Sequence, residues 1–324
     1  MRYLFLIVVL LLAILVAVAI PWPSVQQAFT ALITPGAPTG ACPALPPDPD
    51  YYTSGGEEAA IEAINHARTD EGLPALHLPD NYWQLSLPQQ QFTLVNLERT
   101  SRGLAPLGWD DTLAQIATAY SRQMVDLGFF SHISPISGDF QARLDANPQI
   151  NGHYRTIGEN IAGNPAPAAG AVYEYLYNDA TEQCAHRKNI LNPAFTLIGI
   201  GVVPGGPWHA MSTQELLASN PFDPYTGAPT DTAAPTLHLS SALNTTATSL
   251  SLTANASDNV GIACITWYLD GLGQHAHKGT NWVLDASSLA PGLHHLMVYA
   301  VDDSQNYASA ALAFTVSDGH IAPA

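Results

Sequence analysis

Hydrophobic and polar positions divide the chain into stretches of different rhythm. From Tyr3 to Ile20 nearly every residue is apolar, and Arg2 is the one charge ahead of that run. At roughly 17 residues the run is short for a spanning helix and slightly long for a signal-peptide core. Residues 1–22 therefore predict either a cleaved signal peptide or an uncleaved membrane anchor. No Lys or Arg follows until Arg68, so the positive-inside bias leaves the bulk of the chain outside the cell in both cases. Residues 23–52, rich in Pro, Ala and Gly, read as a semi-rigid spacer.

A helical period takes over in residues 53–219. "SGGEEAAIEAINHAR" sets Ala60, Ile61 and Ile64 on one face, with Ser54 and Glu57 at capping-box spacing. "SLPQQQFTLVNLERTSRG" repeats that spacing with Ser86 and Gln89 and stops at Gly103. "DDTLAQIATAYSRQMVDLG" lines up Leu113, Ile116, Ala117, Tyr120, Met124 and Leu127, with Asp110 or Asp111 as cap and Gly128 as stop. "AGAVYEYLYNDA" predicts a fourth helix, and "FTLIGIGVV" and "WHAMSTQELLA" predict strands. Helices first and strands late make this a mixed α and β segment.

After a Pro- and Asp-rich break at 220–234, residues 235–318 change to a period of two. Six strand-like runs, from "TLHLSS" to "ASAALAFTVSD", recur with Asn, Asp, Gly or Pro between them. That pattern predicts an antiparallel β-sandwich with Trp267 as its central aromatic.

The chain has 324 residues, a formal net charge of −17 and 47% hydrophobic residues. The composition supports a packed core. The negative surface repels phosphate backbones and excludes nucleic acid as a partner. Of three cysteines, Cys42 and Cys184 can pair in an oxidising compartment and tie the spacer to the first domain; three isolated thiols is the other reading. Cys264, in the apolar run "GIACITWYLD", reads as a small core residue.

Candidate chemistry is confined to three short motifs in the first segment: "FFSHISP" with His132, "TIGENIAGN" with Glu159 and "AHRKNILNPAF" with His186. Histidines that titrate near ~6.5 beside carboxylates near ~4 can hold a divalent cation or shuttle a proton. Two imidazoles and one or two carboxylates suit Zn²⁺ with a position left open. The H-E-x-x-H helix of a metalloprotease and the G-x-S-x-G elbow of a hydrolase are both absent from the sequence. His275, His277, His294 and His295 crowd the second segment, where solvated polar residues are the simpler reading than a metal cluster.

With "VNLERTSRGLAPLGWDDTLAQIATAYSRQM", "GFFSHISP", "GENIAGN" and "HRKNILNPAFTLIGIGVV" in that order, residues 90–216 resemble the bacterial branch of the CAP superfamily, also called SCP or pathogenesis-related protein 1-like. The tail resembles bacterial Ig-like modules through "ASDNVGI", "YLDG" and "APGLHHLMVYAVDDSQNYAS". The resemblance implies an α+β protein: an α-β-α sandwich followed by an all-β Ig-like sandwich. It also implies a cleft where two His and two acids converge. His132, Glu159 and His186 match three of the four, and would be the metal ligands if a metal such as Zn²⁺ is bound. The fourth is usually a Glu one turn after a helix Trp. Here Tyr175 takes the Trp position and Asn178 follows three residues on, so Glu174, Asp179 and Glu182 are the candidates, Asp179 preferred.

The function these readings imply is non-enzymatic: an exported, cell-surface or membrane-tethered protein whose cleft binds a small molecule, lipid or divalent metal. The Ig-like module would then act as a spacer or adhesion unit facing a cell-envelope component. The alternatives are a Zn-dependent hydrolase of peptides or envelope polymer, and an adhesion protein that uses the CAP fold as scaffold.

Overall fold

The computed structural model describes residue 42 and residues 55–227, 230–242, 248–272 and 275–324. The apolar leader and, apart from Cys42, the spacer lie outside these residues. Among the described residues no helix is long and apolar enough to cross a membrane.

Two helices open the described chain, α1 (Gly56–Asp70) and α2 (Leu87–Ser101). The Ser86–Gln89 capping box forms as expected at α2. At α1 the outcome differs. Ser54 falls outside the described residues, and the Glu57 carboxylate accepts instead from the N–H groups of Ala168 and Ala169, 2.8 and 2.6 Å away. It thereby caps α5 (Ala169–Leu176), a different helix whose first amides have no intrahelical partner. The third long helix, α3 (Asp111–Leu127), starts at Asp110, which accepts from the Leu113 amide, and ends at left-handed Gly128.

A four-stranded sheet runs β1 (Gly108–Trp109), β5 (Leu197–Pro204), β6 (Ala210–Ser219), β4 (Tyr154–Gly163), antiparallel except for the β1–β5 pair. Its two faces follow the strand period of two. Ile198, Ile200, Leu216 and Ala218 pack against α1, α2 and α5. Leu217, Ile161 and Met211 pack against α3. On the α3 side β5 carries Gly199 and Gly201, where an added Cβ would lie 2.0 Å from Ala114 N and 2.1 Å from Thr118 N. The glycines let α3 lie directly on the strand backbone. Helices on both faces of a sheet make this the α-β-α sandwich.

The middle of β6 is polar and buried, so each side chain needs a partner. Thr213 meets Ser121 of α3 at 2.9 Å, while Gln214 bonds Asn160 of β4 and Gln91 of α2 at 3.0 and 2.9 Å. A buried ionic network joins the helices: Glu98 with Arg68 and Arg102, and Glu71 with Arg102 and Arg187. Arg187 meets Glu71 at 2.8 Å and is itself buried, because α6 (Ala185–Ile190) folds its side chain back toward the end of α5. That short helix has no counterpart among the elements the sequence periodicity predicts.

The remaining strands form two antiparallel sheets packed as a sandwich. One is β10 (His277–Lys278), β9 (Ile262–Leu269), β12 (Gly292–Asp302), β13 (Tyr307–Ser317) and β14 (His320–Pro323); the other is β11 (Asn281–Asp285), β8 (Ser249–Ser257) and β7 (Thr236–Ala242). Trp267 is fully buried at the centre. β14 lies beyond the boundary at 318 that the strand pattern suggested. The histidines here stay apart: His294 bonds Asp270 and the Ala290 carbonyl, and His277 stacks on Trp282.

The outward residues of β9 meet the first domain. Between β2 (Ile133–Ser134) and β3 (Gly138–Asp139), the Ile136 carbonyl accepts from Cys264 Sγ at 3.1 Å and Thr266 Oγ1 at 3.2 Å, and Tyr268 donates to Pro135 O. Cys264 is thus a half-buried junction residue instead of part of the sandwich core, because its position in the two-residue period points it away from Trp267. Cys42 and Cys184 form a disulfide.

Candidate functional site

The loop after α3 carries His132, and β4 carries Glu159. His132 Nδ1 lies 2.7 Å from Glu159 Oε1. The other Glu159 oxygen takes a hydrogen bond from Arg143 of α4 (Phe140–Asp145). Arg143 is fully buried, donates also to the carbonyls of Gly138 and His132 at 2.8 and 3.2 Å, and stacks 3.4 Å above the Tyr120 ring. One guanidinium therefore fixes both the carboxylate and the backbone of the histidine loop.

A second pair mirrors the first. His186 Nδ1 lies 2.7 Å from Asp179 Oδ1, and Asp179 Oδ2 accepts from the Arg187 amide at 2.9 Å. Asp179 so anchors the start of α6 as well as orienting the imidazole. Asn189 on the same helix donates to the Glu159 carbonyl and to Asn160 Oδ1 at 3.2 and 2.8 Å, which stitches α6 to β4. The disulfide at Cys184 holds the insert between Asp179 and α6. The two imidazole rings stand 6.4 Å apart, centre to centre.

Both histidines and Asp179 line a cleft of about 510 Å³, together with Glu174 and Glu182, the other two acidic candidates. Glu159 does not line it; the carboxylate is buried behind His132. Phe130 and Ile133 stand exposed at the cleft edge, and Trp208, also exposed, packs against Phe130 with ring centres 5.0 Å apart. The cleft thus sets two imidazoles and acidic side chains beside exposed apolar ones.

Glu215 lies opposite Glu159 in the β4–β6 register. Burial pushes its carboxyl well above the usual range, with the Glu159 charge adding to the rise and Arg143, 4.0 Å away, opposing it. Arg143 therefore faces two buried carboxyl groups, bonded to Glu159 and 4.0 Å from Glu215.

The arrangement can present two oriented imidazoles. Carboxylates at both Nδ1 atoms favour the tautomer with Nε2 free to accept from a ligand or bind a cation. Glu159 is already engaged by His132 and Arg143, so it backs an imidazole and is not a free ligand. Among the described residues, the group of three or more His, Cys, Asp and Glu donors that closes to within 4.8 Å is that of Asp231, Asp258 and Asp302, outside the cleft. A zinc ion in the cleft would rest on the two Nε2 atoms, with Glu159 and Asp179 as outer partners.

Sequence reasoning missed Arg143 and Glu215. Arg143 carries no motif, although the chain has only 10 Lys and Arg in all. Glu215 had a signal: the one charged residue in the strand run "AMSTQELLAS".

The layered fold and the paired histidines define a CAP domain, and residues 92–216 match the family model described as "Cysteine-rich secretory protein family". This segment of the chain is a CAP domain, followed by an all-β antiparallel sandwich. Two Bacillus subtilis proteins are similar to it. "Uncharacterized protein YkwD" is 40% identical over 113 residues, which cover 35% of this chain and 41% of that protein. "Uncharacterized membrane protein YlbC" is 34% identical over 128 residues, covering 38% and 34%. The chain thus spans about two fifths or less of the length of these relatives. The crystal structure of an extracellular protein containing a SCP domain from Bacillus anthracis str. Ames is 33% identical, covers 44% of each chain and superposes with a TM-score of 0.34.

Proposed function

We propose that the CAP domain binds a small amphiphilic ligand in the His132–His186 cleft, outside the cell. The observation that carries this reading is the cleft's division into two chemistries. Two imidazoles, each tied at Nδ1 to a carboxylate, line the cleft beside exposed Phe130 and Ile133, with exposed Trp208 packed on Phe130. Exposed aromatic and aliphatic side chains grouped at a cleft are a common mark of a binding surface. The similarity to an extracellular protein and to a membrane protein agrees with a place at the cell envelope, as does the disulfide.

Titration of the full chain with a fatty acid, read by tryptophan fluorescence, tests this. Saturable binding that weakens tenfold or more in Trp208→Ala and His186→Ala supports it. Binding that is absent from the unmodified chain, or unchanged in both variants, overturns it.

The backing of each imidazole by a carboxylate favours a second reading, Zn²⁺ held by His132 and His186. Metal analysis of the purified chain and its His132→Ala and His186→Ala variants decides it: stoichiometric zinc must be lost in both. The hydrolytic alternative further requires turnover of casein or peptidoglycan by the zinc-loaded protein.

A further inference from the structure

Three carboxylates from separate parts of the chain converge at the seam between the connecting segment and the β-sandwich. Asp231 belongs to the connection, Asp258 follows β8, and Asp302 ends β12. One oxygen from each lies within 4.8 Å of the others. Asp231 and Asp302 are buried. None of the ion pairs among the described residues involves these three.

Each carboxylate uses an oxygen to fix its own turn. Asp258 Oδ1 accepts from the Val260 amide at 3.0 Å, and Asp302 Oδ1 from the amides of Ser304 and Asn306 at 2.8 and 2.9 Å. Asp231 Oδ1 accepts from the Ala233 amide and from Asn259 Nδ2 at 3.1 and 3.2 Å. Asp231 Oδ2, in contrast, is buried with no donor against it. A buried carboxylate oxygen without a partner, beside two more carboxylates, is a costly arrangement unless a cation completes it.

We propose that Asp231, Asp258 and Asp302 bind one Ca²⁺. The donor set is all oxygen, which suits a hard cation and not zinc. Ligands from a loop, a turn and a strand end form a flexible set, which Ca²⁺ tolerates better than Mg²⁺ with its strict octahedron.

The ion would also act at a distance from the cleft. Gln115 of α3 accepts from the Asp231 amide at 2.6 Å. The Gln305 amide donates to the Asp302 carbonyl at 3.1 Å, and the Gln305 side chain donates to the Arg143 carbonyl at 3.3 Å. Binding at the seam would fasten the sandwich to the CAP domain beside the residue that holds Glu159.

Isothermal titration of the full chain with CaCl2 is the test, with thermal melts in parallel. One site per chain is expected. With a dissociation constant of ~0.1 mM, about 10 mM CaCl2 raises Tm by roughly 5–10 °C, and MgCl2 gives less than half that shift. Asp258→Asn, at the least buried of the three, keeps the fold and weakens Ca²⁺ binding tenfold or more; Asp231→Asn does the same. His186→Ala leaves Ca²⁺ binding unchanged. Absence of saturable heat from the unmodified chain overturns the proposal, as does calcium binding that persists undiminished in both Asp variants.

Discussion

His132 Nδ1 and Glu159 Oε1 lie 2.7 Å apart although 27 residues separate them in the chain. The contact depends on a third residue, Arg143, which holds the other Glu159 oxygen and the carbonyl of His132 itself. Replacing Glu159 by Gln leaves that buried guanidinium facing an uncharged amide. Loss of one partner from a buried pair costs about 3–5 kcal/mol. Urea denaturation of Glu159→Gln is therefore expected to show a loss of about 3 kcal/mol or more.

Gly199 and Gly201 leave room for the α3 backbone and for nothing else. An alanine at either position must push a whole helix off the sheet, since the atoms it meets are main-chain atoms that no rotamer change can move. Each substitution is expected to cost about 3 kcal/mol or more. Thermal melts of Gly199→Ala and Gly201→Ala beside Gly108→Ala, where an added Cβ meets the end of the Leu197 side chain at 3.2 Å and the Thr196 carbonyl at 3.6 Å, give the comparison.

The disulfide joins Cys42 and Cys184 across 142 residues of sequence. Closing so long a loop restricts the unfolded chain, and its removal costs about 2–5 kcal/mol. Cys42→Ser is expected to fall short of the unmodified protein by that amount in non-reducing buffer. With reductant present the two should unfold together; a difference that survives reduction would place the effect elsewhere.

His294 and Asp270 form a pair at the sandwich edge, 2.7 Å apart. Burial by itself lowers the His294 pKa, but the Ala290 carbonyl and the Asp270 carboxylate outweigh it and raise the pKa above its ordinary 6.5. Burial would raise Asp270, yet hydrogen bonds from the His295 amide and His294, with the charges of both histidines, bring it below 3.8. The histidine contribution is complete below 6.5 and fades as pH rises through the raised value. The aspartate contribution is complete above 3.8 and fades as pH falls through the lowered value. Asp270→Asn should thus lower Tm most between those two limits, less at alkaline pH where the histidine share is gone, and least at pH below the lowered aspartate value.

Periodicity in the sequence was enough for α1, α2, α3 and α5, for β5 and β6, and for the switch from a mixed segment to an all-β one. The alternation of "TLIGIGVV" and the caps at Ser86, Asp110 and Gly128 act over a few residues, and local backbone chemistry settles them. The motifs around His132, Glu159 and His186 were likewise visible as short polar breaks in apolar runs. Tertiary structure decided what those residues do. It separated the histidines into two pairs, drew Glu159 out of the cleft wall to stand behind His132, and selected Asp179 over Glu174 and Glu182 as the partner of His186. It also brought Arg143 and Glu215 into the set, and turned Glu57 from a cap of its own helix into a cap of α5. These contacts join segments from different elements, and the geometry that closes them comes from the packing of helices on both faces of one sheet. A period of two or of 3.6 residues fixes which face a side chain takes, but not which distant side chain meets it there.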